Sequence, residues 1–142
     1  MDKSIPRGIR NNNPLNIRVG NSWLGEVEHP TDKDFEQFKE MRFGIRAGFV
    51  LLRRYIERYR LKTIADIVSR WAPATENNTA AYIANVSKLS GIGYLVELDY
   101  RNMEQMYALV DAMIFIECGC HIPKRDIIAG YNLSFCVSNY KI

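Results

Sequence analysis

The sequence predicts an α+β fold, mainly α, in which helices supply the core and a small β-hairpin stands beside them. Three observations lead there. Apolar residues recur at helical spacing in successive segments from residue 41 to residue 119, whereas strict alternation is confined to residues 15–38. Helix-opening pairs (Thr63 with Asp66, Asn102 with Gln105) and helix-stopping glycines (Gly91, Gly119) fall at the edges of those segments. The composition is that of a globular chain: 142 residues, 47% apolar and 25% charged, enough for one domain, 1–142, with a real core.

The chain opens with RGIRNNNPLNIRVG, residues 7–20, where three asparagines and Pro14 favour turns. Leu15, Ile17 and Val19 then alternate with polar residues as a short strand. Asn21 and Ser22 make a turn, and Trp23 to Val27 return as a second strand, so that a hairpin or irregular sheet covers residues 15–38. A strong amphipathic helix is predicted over residues 41–60, with Ile45, Phe49, Leu52, Ile56 and Tyr59 as its stripe. Gly44 and Gly48, one turn apart on it, leave room for another backbone. Arg53, Arg54, Arg58 and Arg60 suit the C-terminal end of that helix.

Thr63 opens a second helix, TIADIVSRWA, with Ile64, Ile67, Val68 and Trp71 inward and Pro73 after it. Asn77 or Asn78 caps a third, with Tyr82, Val86 and Leu89 on one side and Gly91 as its end. Residues 92–99 read as an apolar connector. A short helical piece, RDIIAGYNLS, and a polar end complete the chain.

The helix from Asn102 to Gly119 carries the main chemical signal. Met106, Val110 and Met113 share a face that Leu109 widens, and the next position on that face is Glu117. A carboxylate on the inward side of a helix end is costly unless it is paired or protonated. Either it serves as a general acid, or it turns to solvent or caps a neighbouring helix. Glu76, before the third helix, is a candidate second carboxylate, with Glu26 on the hairpin behind it; the alternative for Glu76 is a charge favoured by a helix N-terminus. Glu40 is read in that second way. Asn13, Asn16 and Trp23 could touch a sugar, the amides by hydrogen bonds and the indole by stacking. Equally, the asparagines could bond the local backbone and Trp23 could plug the hairpin.

Other classes are weakly supported. No apolar run approaches the roughly 18 residues that span a bilayer, and the first residues lack the apolar core of a secretory signal. A net charge of +3 suits an anionic polymer without demanding one. Cys118, Cys120, His121 and Cys136 are formally enough for zinc, but Cys-x-Cys is unusual spacing; reduced thiols with no metal and no cofactor are expected.

Taken together, RGIRNNNPLNIR, the Trp23-Leu24-Gly25 triplet, FEQF, GIRAGFVLLRRYI and TIADIVSRWAPATENNTAAYIANV resemble a family of small phage and prophage virion proteins with a lysozyme-like fold, across residues 7–135. Separately, ALVDAMIFIECG is similar to the helix of flagellar-type glucosaminidases and soluble lytic transglycosylases that ends in a catalytic Glu, with Glu117 in the acid's place and Cys118 where Ser is usual. In the glucosaminidases an Asn-rich segment, a Trp-x-Gly, an aromatic pair and an amphipathic helix follow that helix. Here they precede it, as in a circular permutation, which is feasible where termini lie close together. ENNTAAYIANV resembles the segment bearing the active-site tyrosine of those enzymes, which would be Tyr82.

The resemblances imply cleavage of the glycan strand of peptidoglycan or, in a different class, a non-catalytic virion or wall-binding component. Peptidoglycan glycan strands and other virion proteins are the implied partners; nucleic acid is not. The implied location is the host cytoplasm or the virion, with delivery to the wall by other components.

Overall fold

The computed structural model describes residues 4–136; the polar end expected beyond them lies outside the described residues. Six α-helices occur among the described residues: α1 (Arg7–Arg10), α2 (Met41–Arg53), α3 (Ile64–Trp71), α4 (Thr79–Ser90), α5 (Met103–Cys118) and α6 (Lys124–Leu133). The protein is mainly helical, as the periodicity predicts.

The predicted caps form. The Thr63 hydroxyl accepts from the Asp66 N–H at 3.1 Å, and Asn78, rather than Asn77, accepts from the Ala81 N–H at 3.1 Å. Asn102 accepts from the Gln105 N–H at 3.1 Å, each such cap contributing about 1 kcal/mol. The Gln105 side chain does not return to Asn102; it accepts from the Asp99 N–H and ties the connector to the helix start. Gly91 and Gly119 close α4 and α5 in the left-handed conformation, at φ 74° and 71°.

Helix α2 packs along α6, α5 lies against α4, α6 and α1, and α3 lies against α4. Met106, Leu109, Val110 and Met113 are buried, as are Ile45, Phe49, Leu52 and Ile56. Phe49, Tyr100 and Tyr131 form an aromatic cluster, and the Tyr131 hydroxyl donates to the Tyr100 carbonyl at 2.7 Å.

Four readings are corrected. After Arg53 the helix widens into a π-helical turn, Arg54–Arg58, which adds a residue per turn and carries Tyr59 off the stripe to an exposed position. Leu89, in the last turn of α4, is exposed too. The opening segment is not wholly loop, because α1 interposes a helical turn before the asparagines.

Finally, residues 15–19 and 23–27 do not pair with each other. Residues 35–38 lie between them, through single antiparallel bridges Arg18–Phe35 and Glu26–Phe38. The long-range partner wins because Asn13 fixes it: fully buried, its amide donates to the carbonyls of Ile17 and Glu36 at 2.9 and 3.0 Å and accepts from the Ile17 N–H at 3.0 Å. The result is an irregular β wall rather than a hairpin.

This wall is tied to the helices by close backbone approach. A Cβ at Gly44 would fall on the Asn12 carbonyl oxygen, and one at Gly48 would meet the Leu15 side chain. It also brings two acids together, a buried Glu36 and a half-buried Glu26. Glu36 is 8% exposed, and its Oε2 has no hydrogen-bond donor. Burial, then the facing Glu26 carboxyl, push Glu36 up from 4.5 to about 7, against backbone N–H groups of Asn21 and Gly20 that favour its charge. Asp32 moves the opposite way, held below the usual carboxylate range chiefly by the Arg7 guanidinium.

Two outcomes follow. Gly44→Ala should destabilise the protein by about 3 kcal/mol in urea denaturation, because the obstacle is backbone and cannot swing aside, whereas Gly48→Ala should cost less. The folded protein retains a proton on Glu36 that the unfolded chain releases. That contribution is therefore complete below about pH 4.5 and is lost as pH climbs through about 7. Thermal melts of Glu36→Gln, whose amide can donate to Glu26, should lack this loss and exceed wild type by about 1 kcal/mol near pH 8.

Candidate functional site

Helix α5 delivers Glu117 to the floor of an open cleft of about 610 Å³. The cleft is lined by Asn16, Arg18, Asn21 and Phe35 from the β wall, Leu51 and Tyr55 from α2 and its π turn, Trp71, Glu76 and Asn77 from around the α3–α4 loop, and Glu117. Glu117 is half-buried rather than enclosed. One carboxylate oxygen accepts from the Asn16 amide at 2.9 Å, the other from the Tyr82 hydroxyl at 2.9 Å.

Each donor has a structural reason to be there. Asn16 adopts φ 52°, a left-handed conformation that asparagine tolerates, and this turns its side chain toward α5. Gly8 makes room, since a Cβ there would come within 2.7 Å of the Asn16 Oδ1 and 2.9 Å of the Cys118 sulfur. Tyr82 stands in the first turns of α4, which packs against α5. Burial first, then the neighbouring Glu117, raise the Tyr82 hydroxyl above its ordinary value, so it remains a donor throughout the working range. A carboxylate offers about four acceptor positions, and these two bonds leave others for a proton or a ligand.

The other predicted residues separate. Glu76 is exposed and lines the same cleft. Trp23, 6% exposed, and Asn13, fully buried, do not line it: Trp23 packs into the core, and the Asn13 amide is spent on the β wall. The indole in the cleft is Trp71, which sits edge-on to Tyr55 with ring centroids 6.2 Å apart. Helical spacing assigns Trp71 to the core stripe, but it is the last residue of α3, where nothing packs over it completely. Tyr55 is aimed by the π turn, which has no sequence signal in a periodic stripe. Arg70 lies over the Tyr55 ring at 5.6 Å.

Cys118 and His121 have partners of their own. Cys118 donates to the Pro14 carbonyl at 3.2 Å and is pushed up to about 12, mainly by burial and then by Cys120 and Glu117. The His121 ring stacks on Phe115 with centroids 4.8 Å apart, its Nδ1 3.1 Å from Asp111. Among the described residues no group of three His, Cys, Asp or Glu side chains is arranged to hold a metal ion, and no helix is long and apolar enough to cross a membrane.

No protein-family model matches the chain. The sequence is, however, 45% identical over 134 residues to Protein P5 of Pseudoalteromonas phage PM2, a match that covers 91% of this chain and 82% of the relative. The chain therefore belongs to the family of that phage protein.

Proposed function

We propose that the cleft cleaves the glycan strand of peptidoglycan, with Glu117 as general acid toward the glycosidic oxygen. The observation that carries this reading is a carboxyl group at the end of a core helix, opened to a cleft and held in place on both oxygens by Asn16 and Tyr82. Such holding fixes the orientation that proton transfer needs while leaving acceptor positions free. Glu76, in the same cleft, is the proposed second carboxylate. Hydrolysis uses one at about 5–5.5 Å for retention or about 6.5–9.5 Å for inversion. A lytic transglycosylase dispenses with it, because the sugar's own hydroxyl attacks and the same Glu acts as acid and then base.

Trp71 and Tyr55, rather than Trp23, offer the aromatic faces on which a sugar stacks. On this reading the chain is a single lysozyme-like domain, the β wall facing the acid's helix, with its pieces in permuted order relative to the glucosaminidases. The protein works from the virion or the host cytoplasm, with other phage components carrying it to the wall.

A second reading keeps the fold without the chemistry. The Tyr82–Glu117–Asn16 bonds also join α4, α5 and the β wall, which is what a purely structural clasp in a virion component would do.

The purified protein should release soluble muropeptides from cell walls, and Glu117→Gln should lower that rate by about 10²–10⁴ while keeping the fold, since Gln keeps the volume, accepts from Asn16 and can donate to the Tyr82 oxygen, but supplies no acidic proton. Equal cleavage by Glu117→Gln would remove it as the acid and make Glu76 the residue to test. A wild type that binds walls from several bacteria without cutting them would favour the clasp. In Glu76→Gln, a large loss marks a two-carboxylate hydrolase, and near-normal activity with anhydro-ended products marks a transglycosylase.

A further inference from the structure

The cleft contains a cation that the reaction just described does not use. Arg18 lines it from the β wall, with its side chain exposed. Its backbone bridges to Phe35, and its guanidinium lies over the Phe35 ring at 5.0 Å, so a long side chain is held in one place by stacking.

Arg7, over the same ring at 4.6 Å, makes the contrast clear. Its charge is taken up by Asp32, through bonds of 2.6 and 2.7 Å, and by Asp34 at 3.3 Å. Among the described residues Arg18 forms no ion pair with a carboxylate. The rest of the cleft's polar lining consists of neutral groups (the amides of Asn16, Asn21 and Asn77, with Tyr55 and Trp71) and two acids, Glu76 and Glu117. A guanidinium positioned in advance and left unneutralised beside a sugar-sized cleft is a fork for a carboxylate, which it can grip with two parallel hydrogen bonds. Positioning in advance also reduces the ordering cost that usually erodes such contacts.

We propose that Arg18 recognises a carboxylate carried by the glycan strand, so that the cleft selects acid-bearing strands over neutral ones of the same backbone. This rests on the glycan reading above. Two sources supply the same chemistry in peptidoglycan: the carboxylates of the stem peptides, and the lactyl carboxylate of muramic acid where the peptide has been removed. Chitin oligosaccharides, with the same β-1,4 linkage, have neither.

The test is the dissociation constant of wild type, Arg18→Gln and Arg18→Lys for three probes: peptide-bearing glycan strands, amidase-stripped strands, and chitohexaose. Arg18→Gln should bind at least one of the carboxylated strands about tenfold more weakly and chitohexaose within about twofold of wild type. Arg18→Lys should fall between, because it keeps the charge and loses the fork. Loss confined to peptide-bearing strands assigns the stem peptide as the source; loss on stripped strands assigns the lactyl group. An equal loss on all three probes, or none, overturns the inference and leaves the glycan reading standing. A wild type that binds none of the three overturns both.

Discussion

The arrangement depends on one carboxylate and the two neutral groups that hold it. A charged Glu117 at the rim of an apolar core would be unfavourable alone, and the hydrogen bonds from Tyr82 and Asn16 offset that cost. Satisfying the charge places two demands on the fold. Helix α4 must lie along α5 so that a tyrosine from its first turns reaches the acid. The asparagine-rich segment must also curl back over the end of α5, which explains the left-handed Asn16 and the side-chain-free Gly8 beneath it. Cys118 strengthens the same seam through its bond to the Pro14 carbonyl. The left-handed Asn16, the small residue in α1 and the thiol after Glu117 thus meet at one seam.

Around that point the molecule is held together in two ways. Helices α2, α5 and α6 are packed through large apolar side chains that tolerate little change of volume. The β wall has few ladder bonds and relies on side-chain amides and carboxyls, notably Asn13 and the Glu26–Glu36 pair. Phe35, Arg18 and Asn21, which line the cleft, are carried on it.

How much was legible follows from how local each signal is. Asn102, Thr63, Gly91 and Gly119 act within one turn of the backbone, and the helix boundaries they imply are those of the structure. Glu117 was found because it interrupts an apolar face, and Tyr82 through a resemblance in the segment around it. Trp23 takes the core position, one of its two alternatives, while Trp71, expected on the core stripe, lines the cleft, since residue type cannot show whether an indole at an element's end is covered. Tyr55 was missed because a π turn breaks the register that periodicity assumes. The pairing of residues 35–38 with two earlier segments depends on the buried Asn13 amide, which connects backbones 23 residues apart in sequence and leaves no short-range trace.

The seam between Asn16 and Glu117 spans 101 residues, and that between Tyr82 and Glu117 spans 35. Contacts so distant along the chain are slow to close, because the intervening loop must lose its entropy before they form. During synthesis the β wall and α4 emerge before the carboxylate they are to hold, and the cleft lacks Glu117 until α5 docks. Completion of the cleft is thus coupled to completion of the core: a polypeptide trapped with α5 undocked lacks the three-way contact whatever order its other helices have reached.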